Sequence, residues 1–190
     1  MILVDWQIED RIRRGHIRVD PPFEPSLIQP NSLDIRLGSH FVWYVPGETV
    51  IDPPYDRETV CRETEETVAD SIVLTPAGSS SPRRSSRSSS PPTTSWRASR
   101  GRAASRASGV ELHQTGGWID AGFRGTITLE MCNVNSRPVK VYAGMPIGQL
   151  VFYRTDRAAR PYNMKQDAKY MDQRQATLSR YHENARRAQE

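Results

Sequence analysis

Two cysteines in 190 residues, Cys61 and Cys132, are too few for a disulfide framework, and no CxxC or HxE element offers a zinc cage. No apolar run approaches the roughly 20 residues that a membrane span requires. Acidic residues are missing altogether from Ser79–Ser108, which holds seven arginines. That gap accounts for the net charge of +4: the rest of the chain carries 19 basic and 22 acidic residues. The body is therefore mildly acidic, and the overall charge is no argument for nucleic-acid binding. Asp5, Glu9 and Asp10 interrupt the N-terminus before an apolar leader can form, so a soluble, cytoplasmic protein is expected. The length suits one domain over residues 1–190 with a real core.

What is present reads mostly as strand. Asp5–Arg14 predicts a short N-terminal helix, with Asp5 as its cap, Ile8 and Ile12 on one face and Gly15 as its stop. Gln29–Gly38 turns through Pro30 and Asn31, then alternates Leu33, Ile35 and Leu37 against Asp34 and Arg36, the pattern of a half-buried strand. Phe41–Val45, Ser71–Thr75, Gly117–Ile119, Gly125–Asn133, Val139–Tyr142 and Ile147–Tyr153 are further strand candidates between Gly and Pro turns. Their spacing predicts an all-β sandwich, jelly roll or barrel. From Arg154 to the end the chain is polar, with few core residues, and reads as an arm or lid over 154–190.

The most informative stretch is His113–Asn133. Paired glycines, an acid in a tight turn and a Gly-Phe-Arg-Gly turn lead into a strand where Glu130 sits among Ile127, Leu129 and Met131. A carboxylate in that setting needs either a partner or a chemical role. Ionised and unpaired it costs several kcal/mol by rough estimate, or its pKa rises until it shuttles protons near neutrality. Glu130 is thus a candidate catalytic acid/base, set against the plain alternative of a salt-bridged sheet carboxylate. The Ser/Arg/Pro-rich segment at 78–108 has almost no apolar residue except Trp96, so no core strand is expected from it.

These residues resemble the dCTP deaminase and dUTPase superfamily over nearly the whole chain outside 77–108. The resemblance rests on Met1–Asp5 with its helix, Gln29–Gly38, the hairpin His113–Glu130, Gly144–Leu150, and the lid elements Arg160-Pro-Tyr162 and Asp167-Ala-Lys-Tyr170, in that order. It implies a mostly β, dUTPase-like β-clip (a distorted jelly roll) with short helices and a C-terminal lid, assembled as a homotrimer with sites between subunits. It further implies deamination of dCTP, with Glu130 taking a proton from the attacking water and passing it to N3 and the departing ammonia. Mg²⁺ is expected on the substrate phosphates, with no zinc and no other protein-bound metal. Asp120 matches the sugar-contacting acid, and Thr128 and Leu129 would offer backbone groups to the base. Gln149, Tyr162, Lys169 and Gln173 match further nucleotide contacts, and His113 and Thr115 would shape the pocket. The Thr115-Gly-Gly and Ile147-Gly-Gln-Leu patterns resemble members that continue from dUTP to dUMP and diphosphate.

One family motif is missing. Where Gly-(Arg/Lys)-Ser-Ser-Leu-(Ala/Gly)-Arg-Leu-Gly should cradle the triphosphate, the chain reads Gly101-Arg-Ala-Ala-Ser-Arg-Ala-Ser-Gly109. Arg102 keeps its place, while Ala103, Ala104 and Ala107 stand where two serines and an arginine are expected. If Ser-Ser-Leu-Ala-Arg-Leu is encoded AGC AGC CTC GCG CGC CTC, dropping one nucleotide gives Ala-Ala-Ser-Arg-Ala-Ser, which is Ala103–Ser108. The same displacement turns Pro-Asp-Asp-Leu-Val into Pro92–Trp96, and Glu-Phe-Phe into Ser79–Ser81. Residues from about 78 to 108 thus read as a frameshifted version of the family's phosphate-loop region, restored at Gly109. Two other readings follow from the same block: an RS-type, basic nucleic-acid-binding protein on a dUTPase-like scaffold, or an inactive relative that has lost its phosphate loop.

Overall fold

The computed structural model describes residues 1–20, 24–45, 50, 64–77, 87–90, 93–94, 98–99, 109–113 and 117–183. The α-helix α1 (Asp5–Arg13) precedes strands β1 (Arg18–Val19), β2 (Ile28–Gln29), β3 (Ser32–Arg36), β4 (His40–Tyr44), β5 (Thr64–Val68) and β6 (Ser71–Leu74). There follow β7 (Arg87–Ser90), β8 (Thr93–Thr94), β9 (Ala98–Ser99), β10 (Val110–Glu111), β11 (Ile127–Glu130), β12 (Cys132–Asn133), β13 (Val139–Tyr142) and β14 (Pro146–Phe152). Two four-stranded antiparallel sheets, ordered β11-β7-β4-β5 and β2-β3-β14-β9, carry the architecture, with the pairs β13–β6, β10–β12 and β1–β8 beside them.

The helix begins one residue earlier than its sequence suggests. Val4 is the N-cap, and its N–H donates to the side chain of Gln7 at 3.1 Å. Asp5 is the first helical residue, where its carboxylate accepts from the Trp6 N–H at 2.7 Å and suits the positive end of the helix dipole. Ile8 is fully buried, and Gly15, at φ +71°, takes the left-handed turn that ends the helix.

β3 follows its alternation: Leu33, Ile35 and Leu37 enter the core while Asp34 and Arg36 stay half-exposed. Burying each such side chain contributes about 1.5–3 kcal/mol. The core continues through Phe41, Trp43, Leu74, Leu129, Met131, Val141, Ile147 and Phe152. Asn133 is the polar exception at 1 % exposure, and it is satisfied. Its Nδ2 donates to the carbonyls of Leu74 and Arg137 at 2.8 and 2.9 Å, and its Oδ1 accepts from the Asn135 N–H at 2.9 Å, fixing the turn into β13.

Three expectations change. Gly117–Ile119 forms no strand. Gly125–Asn133 is not one strand: β11 pairs with β7, and after the buried Met131 the chain changes partner, β12 pairing with β10. The Ser/Arg block does supply strands: β7 lies between β11 and β4, with Leu129 and Phe41 both registered against Ser88. Backbone ladders do not depend on side-chain identity, so two apolar neighbours can frame a slot that a serine run fills.

Candidate active site around Glu130

Among the described strands β11 pairs with β7 on one edge, and a pocket opens beside it. The pocket holds about 330 Å³ and is lined by Trp118, Asp120, Phe123, Ile127, Thr128 and Glu130 from the hairpin, and by Tyr162, Tyr170, Gln173, Thr177 and Ser179 from the C-terminal segment. That volume lies at the lower end of small-ligand sites. The side-chain alternation of β11 explains the division of labour: Ile127 and Leu129 are buried, while Thr128 and Glu130 are half-buried pocket residues.

The C-terminal segment is built onto this edge. Asp172 N–H donates to the Arg124 carbonyl at 2.7 Å, and Thr126 N–H donates to the Gln173 carbonyl at 2.8 Å. The Gln173 carboxamide donates to the Thr126 carbonyl and to Thr128 Oγ1, and its oxygen accepts from the Thr177 hydroxyl at 3.0 Å. Thr126 spends both backbone groups on Gln173, so strand alternation turns those of Thr128 to the same edge. Gly125, at φ +145°, has no side chain for a reason: a Cβ there would meet the Gln173 N and O, both at 3.1 Å.

Upstream, the Tyr162 N–H donates to the Ala121 carbonyl at 2.7 Å, and its ring packs 5.8 Å from Phe123. The Tyr162 hydroxyl accepts from the Tyr170 N–H at 3.1 Å. Burial pushes the phenol pKa up, against that hydrogen bond, so Tyr162 stays a neutral hydroxyl. His113 is half-buried, and its Nδ1 is enclosed with no hydrogen-bond partner among the described residues. Burial lowers its pKa, and the charge of Glu130 acts the other way, which places the two groups in one electrostatic environment.

Of the residues expected from sequence, Glu130, Asp120, Thr128, Tyr162 and Gln173 converge on this pocket. Leu129 does not line it; its side chain is in the core. Lys169 stands just behind, with its ammonium 5.9 Å from the Tyr170 ring centroid. Gln149 belongs to the other sheet, where it donates to Asp34 Oδ1 at 2.8 Å while Gln29 donates to Oδ2 at 3.0 Å. Arg102, Ala103, Ala104, Ala107 and Thr115 lie outside the described residues. Sequence reading missed Trp118, Phe123 and Tyr170 as pocket walls, although each sits inside a motif already singled out. It also missed Thr177 and Ser179, polar residues in a polar tail with no pattern to mark them.

Comparison with known proteins fits this geometry. A family model described as dCTP deaminase-like matches residues 2–155. A protein of Methanoculleus marisnigri named "dCTP deaminase, dUMP-forming" is 80% identical over 190 residues, 100% of each chain. Proteins with the same name from Methanosphaerula palustris and Streptomyces griseus are 66% identical over 186 residues (98% of each chain) and 33% identical over 192 residues (100% of each chain). A crystal structure of 2′-deoxycytidine 5′-triphosphate deaminase from Agrobacterium tumefaciens superposes with a TM-score of 0.52 at 19% identity, covering 80% of this chain and 47% of that one. This chain thus spans about half the length of that protein, and the likeness shows the fold: mostly β and dUTPase-like, as expected from sequence. With a family model over most of its length and full-length relatives at these identities, the chain belongs to the dCTP deaminase-like family.

Proposed function

We propose that this protein's site serves hydrolytic deamination of dCTP, carried on to dUMP with release of diphosphate; the relatives' names describe those proteins as dUMP-forming dCTP deaminases. The observation that carries the reading is Glu130, a half-buried carboxylate on the wall of a nucleoside-sized pocket, beside Thr128 and Asp120. In this reading Glu130 accepts a proton as water adds to C4 of the cytosine ring. It passes that proton to N3, then takes the proton of the new C4 hydroxyl and hands it to the amine, so that ammonia departs as the C4 carbonyl forms. A second water then displaces diphosphate from the α-phosphorus. General acid/base transfer of this kind contributes about 10²–10⁴-fold.

The remaining roles follow from placement. The edge-facing backbone of Thr128 is offered to the base. Asp120, exposed at the pocket rim, accepts from a sugar hydroxyl, and Tyr162 closes over the opposite side. We assign Mg²⁺ to the substrate's phosphate oxygens, hard anionic donors of the kind that ion prefers. We further propose a homotrimer with sites between subunits, the assembly that the resemblance to the family implies. Among the described residues no helix is long and apolar enough to cross a membrane.

The phosphate loop separates this chain from that activity. β7 holds an inner position between two apolar strands yet reads Arg-Ser-Ser-Ser. A serine codon of the form TCN, read one nucleotide upstream, becomes NTC, which encodes Phe, Leu, Ile or Val in every case. An inner strand is where those residues belong. We therefore assign deaminase activity to the chain with the upstream frame restored over residues 78–108, and little or none to the chain as it stands. The test is to incubate both chains with dCTP and Mg²⁺ and to follow ammonia, dUTP, dUMP and diphosphate. Ammonia with equimolar dUMP from the restored chain alone is expected. Equal turnover by the unrestored chain would overturn the assignment of the lesion, and none from the restored chain would overturn the function.

A further inference from the structure

The C-terminal segment's grip on the pocket runs through two residues that no role above uses. The Arg124 guanidinium engages the Asp172 carboxylate with two parallel contacts, Nε to Oδ1 and Nη2 to Oδ2, the second at 2.7 Å. Both side chains are exposed, at 62% and 56%. An isolated surface pair of this kind adds little to global stability. Here, however, the pair lies beside the two backbone hydrogen bonds by which residues 172–173 pair with Arg124 and Thr126, the residues that lead into β11. Asp172 also holds φ +58°, a left-handed conformation that few side chains adopt without a compensating contact. The next residue, Gln173, places its carboxamide on Thr126 and Thr128 and takes up the Thr177 hydroxyl, making pocket wall of the segment.

We infer that Arg124 and Asp172 are positioning residues: their fork-shaped ion pair docks residues 172–177 against residues 124–128 and so sets how much of the time Gln173 and Thr177 wall the pocket. Neither side chain is among those lining the pocket, so their influence passes through Gln173. Docking of a short peripheral segment is a local equilibrium of small free energy, and a contact negligible for unfolding is large on that scale. The consequence for nucleotide rests on the function proposed above. A ligand that needs the docked segment binds more weakly in proportion to the docked fraction, so loosening the clamp raises KM while leaving kcat.

The clamp is tested on the chain itself by amide hydrogen exchange. The amides of Asp172 and Thr126 are the reporters, because each donates across the docked edge, and amides of β14 serve as the internal control. Arg124→Ala, Asp172→Ala and a rise in salt should each speed exchange at both reporters by about five- to tenfold, leaving β14 unchanged. Arg124→Lys, which keeps the charge and loses the fork, should fall between. The swapped pair Arg124→Asp with Asp172→Arg should restore part of the protection. Unchanged reporters in both alanine variants, or equal acceleration of reporters and β14, would overturn the inference. In the frame-restored chain, Arg124→Ala should raise the KM for dCTP several-fold at constant kcat. If the reporters respond and the restored chain never acts on dCTP, the clamp stands and the proposed function falls.

Discussion

The charge of Glu130 reaches His113: the carboxylate favours the protonated imidazole, and burial of the ring opposes it more strongly. The balance leaves His113 with a lowered pKa, and its Nδ1 is enclosed with no hydrogen-bond partner among the described residues.

Stability should therefore depend on His113 with a definite sign. Its ordinary pKa of 6.5 applies to the unfolded chain, and the folded value is lower. Unfolding takes up protons in the window between them, so the contribution is complete above about pH 6.5 and is lost as pH falls through the folded value. Thermal melts between about pH 7.5 and 5 should show the native chain losing more stability than His113→Asn. Parallel curves would contradict this.

Gln149 offers a second pH test. As it stands it supplies one of two amide donors to Asp34, tying β14 to β3. Gln149→Glu sets a second carboxylate against Asp34 and should cost about 1–3 kcal/mol at neutral pH. Like charges raise the folded pKa of the pair, so the loss should shrink as pH falls below about 5 and a proton is shared. Denaturant melts of the variant at both pH values measure it.

Gly125→Ala should undock the C-terminal segment without disturbing the sheets. Its Cβ meets two Gln173 backbone atoms at 3.1 Å, and φ +145° disfavours any side chain. A local cost of about 1–3 kcal/mol is expected, seen as faster tryptic cleavage at Arg174 with a nearly unchanged core melting transition.

The reading-frame account makes a prediction about nucleic acid. Across residues 78–108 the frame one nucleotide upstream should be open and should encode apolar residues at most of the positions now read as Ser88–Ser90. A stop codon there, or polar codons throughout, would contradict it.

Periodicity carried the fold where side chains alternate cleanly. Leu33, Ile35 and Leu37 were legible because Asp34 and Arg36 fall between them, and all three are buried. The break at Met131 was not legible, since a change of strand partner leaves the alternation intact. Nor was the docking of the C-terminal segment, which rests on backbone pairing and on Gln173, Thr177 and Asp172, polar residues that look the same whether solvated or bonded. Glu130 is legible in the sequence because a carboxylate among apolar residues is costly, and it lies half-buried on the pocket wall. Gln149 and Lys169 carried no such signal of their own, and neither lines the pocket where the motif suggested.

The most direct measurement is ammonia release from dCTP by the frame-restored chain, compared with its Glu130→Gln variant at equal folded content. The account predicts a loss of about 10²–10⁴ in turnover while dCTP still binds. Undiminished turnover in the amide variant would contradict it.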